Sequence, residues 1–152
     1  MSSTKLGIWY AVYAKRRREE IVQFHLERKG LVVFFPRLLL PQPLLMRPRI
    51  VPLFPSYLFV CVQNPIEYDY IRWSPGVRWV VNFDGAPAPL EEEVVEFLRR
   101  RATPAGVITM DSAVPVRQEG EEISERVERL MKVLLNQRDS KGRIQMMLKF
   151  FL

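Results

Sequence analysis

The hydrophobic pattern of this chain changes period once, and that change limits what the chain can fold into. Up to about residue 101 the apolar residues come in short runs rich in Val, Phe, Tyr and Trp: Ile8 to Tyr13, Leu31 to Phe35, Ser56 to Val62 and Val77 to Phe83. Runs of this kind, bounded by Gly, Pro or charge, are strand signals. Further on, apolar residues recur at Ile123, Val127, Leu130, Met131, Leu134 and Leu135, with Glu125, Arg126, Glu128, Arg129 and Lys132 between them. That spacing lines one face of a helix. After a polar break from Asn136 to Arg143, a second stripe at Ile144, Met147, Leu148 and Phe151 suits the returning arm of a helical hairpin. Neither arm carries a core of its own, so the pair must dock on something apolar.

Helical segments separate the strands of the first part. Arg16 to Lys29 consists of good helix formers and stops at Gly30, where a C-terminal cap belongs. Pro65 to Arg72 reads as a short helix or turn. Leu90 to Arg101 reads as an amphipathic helix with acids in its first turn and arginines in its last, which suits the helix dipole. The order β, α, β, β, β, α predicts an α+β sandwich, an antiparallel four-stranded sheet flanked by helices. Pro36, Pro41, Pro43, Pro48, Pro52 and Pro55, together with Arg37, Arg47 and Arg49, predict a basic loop, irregular or extended. Ala102 to Val116 has Pro, Gly, Thr and Ser without a clean period and reads as a linker. The expected organisation is one unit over residues 1–101, a linker over 102–116 and a short helical segment over 117–152.

The 152 residues suffice for one ordinary domain or two small ones. Twenty-three Lys and Arg against seventeen Asp and Glu leave a net charge of +6, which favours a polyanionic partner. No stretch reaches the roughly 18 uncharged apolar residues of a membrane span, so no membrane contact is expected. A single cysteine, Cys61, excludes an intrachain disulfide and fits a reducing compartment. The N-terminus lacks the apolar core of a signal peptide, which places the expected location in the cytoplasm. One histidine, one cysteine and no clustered carboxylates offer little to a metal. There is no P-loop, no Cys and His pair at a plausible spacing and no Ser elbow, so neither an enzyme nor a cofactor is expected.

Four blocks carry a resemblance: WYAVYAKRRREE at residues 9–20, LFPSYLFV at 53–60, SPGVRWVV at 74–81 and FDGAPAPL at 83–90. In this order they resemble the N-terminal domain of the NusG family of transcription elongation factors, over roughly residues 8–101. Lys15 and Arg16 followed by FHLERKG at 24–30 make the chain most similar to the specialised RfaH-type paralogues. The resemblance implies a non-enzymatic elongation and antitermination factor that suppresses pausing or termination by bridging RNA polymerase and the non-template DNA strand. It implies that Trp9, Tyr10, Phe54, Pro55, Tyr57 and Phe59 serve a hydrophobic depression for the clamp helices of the largest polymerase subunit. It implies that Lys15, Arg16, His25 and Arg28 contact DNA, and their chemistry suits phosphates and guanine edges.

Read without the family, the same residues have plainer roles. Aromatic strands most often supply core, and His25 also fits a packed or solvated position. Alternation puts Tyr57 and Phe59 on one face of a strand and Leu58 and Val60 on the other, so both faces need cover if all four are to be buried. His25 and Arg28, three apart, share one side of a helix whose Val22 and Leu26 would face the sheet. The rival function is an RNA-binding module that stacks bases on a basic, aromatic α+β surface, although no RRM signature is present.

The chain also departs from the family. Glu67, Tyr68 and Asp69 stand where the paralogues carry a His-Thr-Thr segment that touches the polymerase gate loop. Val51 takes the place of an acid that ion-pairs with the second domain in the closed paralogue, so closure here would rest mainly on apolar burial. VRQEGEEI at 116–123 and IQMMLKFF at 144–151 resemble two strands of the family's KOW barrel. The Gly-rich part of that motif has no counterpart, and a barrel short of a strand leaves open edges. A helical hairpin is therefore expected, with a degenerate barrel as the alternative. By the resemblance it would either shield the depression as an autoinhibitor or pack there permanently as a remnant. Released, it would recruit a ribosomal protein or a termination factor. The chain is expected to act as a monomer.

Overall fold

The computed structural model describes residues 7–40, 47–109 and 120–152. Chain order is β1 (Ile8–Ala14), α1 (Glu19–Arg28), β2 (Val32–Phe34), β3 (Arg37–Leu40), β4 (Arg49–Pro52), β5 (Tyr57–Val62) and α2 (Pro65–Arg72). There follow β6 (Val77–Val80), β7 (Asn82–Phe83), β8 (Ala86–Pro87), α3 (Glu92–Arg101), β9 (Val107–Thr109), α4 (Glu125–Asn136) and α5 (Ser140–Met147). A 3-10 turn at Leu148–Phe150 continues α5.

The main sheet has the order β2-β5-β1-β6 with every pair antiparallel, as the sequence predicts. Alternation along β1 and β5 divides the interior into two cores. Val12, Ala14, Leu58, Val60 and Val62 face α1 and α2, which cover them with Val22, Leu26 and Ile71. Trp9, Ala11, Phe59 and Cys61 face the other way, toward α3 and the C-terminal helices. Both faces of the sheet are therefore covered, which is why Phe59 and Val60 are both fully buried.

Three features depart from the expected layout. The proline-punctuated stretch is extended where it is described, but as paired strands rather than a loop, since β3 and β4 pair antiparallel from Arg37↔Pro52 to Leu40↔Arg49. Pro36 precedes β3, and Pro52 closes β4 at the edge of its sheet, where a missing N–H costs nothing. Pro41 and Pro43 lie outside the described residues. The stretch read as a linker carries β9, which runs parallel to β3 with Leu38 opposite Ile108. Both of these residues are buried. Gly106 opens this strand at φ +82°, and a Cβ there would stand 2.9 Å from the Phe35 carbonyl oxygen, so the backbones meet only because it is glycine. The run Val77 to Phe83 breaks after Val80. Its last residues form the β7-β8 hairpin through Asp84 and Gly85, both at positive φ, as a two-residue turn of this hand requires.

The C-terminal segment is helical, with no closed barrel among the described residues. Ser124 caps α4 by accepting from the Val127 N–H at 3.3 Å, and Asp139 caps α5 by accepting from the Gly142 N–H at 3.2 Å. The stripe reads as expected: Val127, Met131, Leu134 and Leu135 are buried in the same core as Phe59. Each such burial contributes roughly 1.5–3 kcal/mol, which holds two short helices that would be marginal alone.

Candidate functional site

The sheet face that carries Phe59 is where the predicted aromatic residues collect. Phe59 packs at 5.8 Å from Phe54 and 6.4 Å from Phe150, and Phe54 meets Phe150 edge-on at 5.5 Å. Trp9 joins the same core, with the Arg99 guanidinium 5.2 Å from its ring centre. Pro55 sits half-buried in the turn before β5. Tyr10, its neighbour along β1, points to the opposite side, where it meets Tyr68 edge-on at 6.1 Å. Alternation thus separates Tyr10 from the other aromatic candidates.

Tyr57 marks where the cover ends. It is half-buried beside the Phe59 core, with its ring 5.0 Å from Tyr13, which in turn stacks on Trp79 at 4.7 Å. This cross-strand row runs over β5, β1 and β6, and Trp79 at its end is 51% exposed. Burial first, and then the neighbouring Tyr13, raise the Tyr57 pKa above its ordinary value. Tyr13 and Trp79 were absent from the sequence-derived candidates, although their strand parity, shared with Tyr57, is the signal that marks them.

The hairpin that covers Phe59 is held by polar contacts as well as apolar ones. Arg143 of α5 is 2% exposed. Its Nε donates to the Leu53 carbonyl at 2.8 Å, and its Nη1 to the carbonyls of Arg138 at 2.9 Å and Gln137 at 3.1 Å. Its Nη2 reaches the Pro52 carbonyl at 3.4 Å. One guanidinium therefore ties the α4-α5 turn to the end of β4. Burial lowers its pKa, and the nearby Asp139 carboxylate works against that shift. This contact lies beside Val51 and adds hydrogen bonds to backbone carbonyls to the apolar burial of the hairpin. The polar break hid Arg143, yet Arg143, Met147 and Phe150 follow one another at helical spacing, and all three are buried.

Further ties flank it. Arg101 grips Glu121 with two bonds of 3.0 and 2.8 Å, and the Glu121 side chain is only 3% exposed. Ser124 Oγ donates to Glu93 at 2.7 Å, and Arg126 pairs with Glu91. At the end of the chain, Glu91 N–H donates to the Phe150 carbonyl at 2.7 Å and Leu152 N–H to that of Pro89 at 3.1 Å.

The basic candidates lie along α1, away from that core. Lys15 and Arg16 are exposed in the turn that follows β1, and Lys15 N–H donates to the Gly76 carbonyl at 2.7 Å. His25 is half-buried beside Phe24, and Arg28 reaches over the Phe24 ring at 5.5 Å. Val22 and Leu26 are buried against the sheet, so the helix turns His25 and Arg28 toward its flank.

Glu67 has a local structural use. It accepts from the Gln63 N–H at 2.7 Å while Asn64 Oδ1, the cap, accepts from the Glu67 N–H at 3.0 Å, so both bonds tie the chain before α2 to its first turn. No group of three or more candidate metal ligands and no membrane-length apolar helix occurs among the described residues.

A family model described as "Transcription termination factor nusG" matches residues 7–99, well over half of the chain. A solved structure described as "Domain interaction in Thermotoga maritima NusG" is 22% identical to this chain, with a TM-score of 0.42, over 76% of this chain and 68% of that one.

Proposed function

Because the chain belongs to the NusG family of transcription factors, we propose that it is an elongation and antitermination factor of the RfaH type. It binds the clamp helices of the largest RNA polymerase subunit with the face of Trp9, Phe54, Tyr57 and Phe59, with Pro55 at the rim. Lys15, Arg16, His25 and Arg28 hold the non-template DNA strand. Acting by binding alone, it keeps the polymerase in a pause-resistant state.

The observation that carries this reading is the contact of Phe54 and Phe59 with Phe150: an aromatic sheet face large enough for a partner helix is already occupied by helices of the same chain. Occupation makes the closed form autoinhibited. Opening needs a partner that binds the open form better, and polymerase together with DNA supplies that difference. Once released, the C-terminal segment is free to recruit a ribosomal protein or a termination factor. The rival RNA-module reading needs an open sheet face, whereas with the hairpin closed both faces are covered.

The test is an elongation assay with purified RNA polymerase on a template that contains a strong pause. Added protein should shorten the pause, and Phe59→Ala or the combined replacement of Lys15, Arg16, His25 and Arg28 should remove the effect. Unchanged pausing with the wild-type protein on every template tried would overturn the proposal.

A further inference from the structure

At one end of the main sheet, on the side of β1 away from Trp9, the fold leaves a cleft of about 470 Å³ that the proposed function does not use. Two rings form its corner. Alternation sends Tyr10 toward α2, and Tyr68, three residues before the buried Ile71 and so on its side of the helix, comes inward to meet it. The ring centres stand 6.1 Å apart with their planes at 76°. Val62, Pro65 and Pro87 supply apolar lining, and Ile8, which also lines the cleft, is left 49% exposed. The volume falls within the ~300–1,000 Å³ of small-ligand sites, which are likewise mostly apolar with a few placed polar groups.

The charge at this cleft is negative, although the chain as a whole carries +6. Asp69 contributes its carboxylate to the lining. It meets Arg72 at 4.0 Å with both side chains more than half exposed, a pair too weak to hold it. Arg72 also reaches over the Trp73 ring at 5.4 Å. Rings at right angles cannot sandwich a flat base, and a carboxylate repels phosphate, so this corner turns nucleic acid away. A rounded cation suits it: aromatic faces attract positive charge, and the carboxylate supplies the opposite sign. An ammonium group that leaves water needs such compensation, and the apolar lining can then take up a hydrocarbon body.

We propose that this cleft binds a small organic cation, an alkyl- or quaternary ammonium ion with an apolar body. The head sits in the corner of Tyr10 and Tyr68 beside Asp69, and the body lies along Val62, Pro65 and Pro87. The site uses neither the aromatic face under the hairpin nor the basic residues of α1, so it stands or falls independently of the proposed function.

The experiment follows NMR spectra of the full-length protein as benzyltrimethylammonium is added, with choline and its uncharged isostere 3,3-dimethylbutanol as a matched pair. Binding should move the ring signals of Tyr10 and Tyr68 and shift the N-methyl protons of the probe upfield. Choline should bind about tenfold more tightly than 3,3-dimethylbutanol, and benzyltrimethylammonium more tightly than choline. Tyr68→Leu should weaken benzyltrimethylammonium about two- to thirty-fold, whereas Tyr68→Phe, which keeps the ring, should stay within about twofold of wild type. Asp69→Asn should weaken it about two- to fivefold at low salt and less as salt is added. Amide signals of α3, on the other side of the sheet, report that each variant is folded. Equal affinity for choline and 3,3-dimethylbutanol would overturn the proposal, as would wild-type affinity in both Tyr68→Leu and Asp69→Asn. Saturable binding that leaves the Tyr10 and Tyr68 signals unmoved, or no saturable binding of any of the three probes, would overturn it too.

Discussion

Arg143 is a buried cation whose hydrogen bonds run to backbone carbonyls, two in its own hairpin turn and two at Pro52 and Leu53. Carbonyls cannot be mutated away, so the contact needs no acid at position 51 yet depends on the guanidinium fork. Arg143→Met keeps most of the volume but strands these acceptors, and should cost about 2–3 kcal/mol. Thermal unfolding would register this as a drop of about 5–10 °C. Arg143→Lys should rescue little, because one ammonium cannot span acceptors on both units. Tyr57 supplies a pH signature. Its folded pKa is raised by burial, so its contribution is fully present below pH ~10 and is lost as pH rises from there through the folded value. Tyr57→Phe should therefore flatten the alkaline fall in stability, as measured by denaturant unfolding between pH 9 and 11.

At the scale of elements, the small sheet β4-β3-β9 fastens the outgoing chain to the sandwich. Arg37 N–H donates to the Gly106 carbonyl at 2.9 Å, and the Arg37 guanidinium donates to the Ala105 carbonyl at 2.6 Å. Gly106→Ala forces a side chain into a left-handed position against the Phe35 carbonyl. It should cost about 1–3 kcal/mol and raise amide exchange at Ile108 while sparing β1 and β5. These pieces were illegible in the sequence for physical reasons. Prolines at strand ends look the same as prolines in a loop, and a three-residue strand such as β9 owes its existence to the partner it meets in space. β1, α1, β5, α2, α3 and α4 were legible because each carries a full period of burial or a terminal signal such as Gly30, whereas α5 starts at Ser140 inside the polar break and buries Arg143, Met147 and Phe150 while Leu148 of the expected stripe is exposed.

Over the whole molecule, the aromatic face was legible and its division was not. Strand parity pairs Tyr57 with Phe59, but which face the C-terminal helices choose, and that they stop short of Trp79, depends on shapes that only the folded chain defines. Arg143 escaped notice because a charged residue in a polar stretch carries no sign of burial. The basic stripe of α1 could be read from its residues, whereas Tyr10 and Tyr68 come together only through the packing of α2 on β5 and β6. These pieces combine into a closed molecule: one sheet face is covered by α1 and α2 and the other by the chain's own hairpin, which the proposed function has a partner helix displace. The most direct measurement is the affinity of the full-length protein for an isolated clamp-helix fragment of RNA polymerase, compared with that of Phe150→Asp, whose carboxylate cannot remain against Phe54 and Phe59. The account predicts binding at least tenfold tighter for Phe150→Asp, with the gain abolished by adding Phe59→Ala. Equal affinity in wild type and Phe150→Asp, with the sheet domain shown to be folded in both, would contradict it.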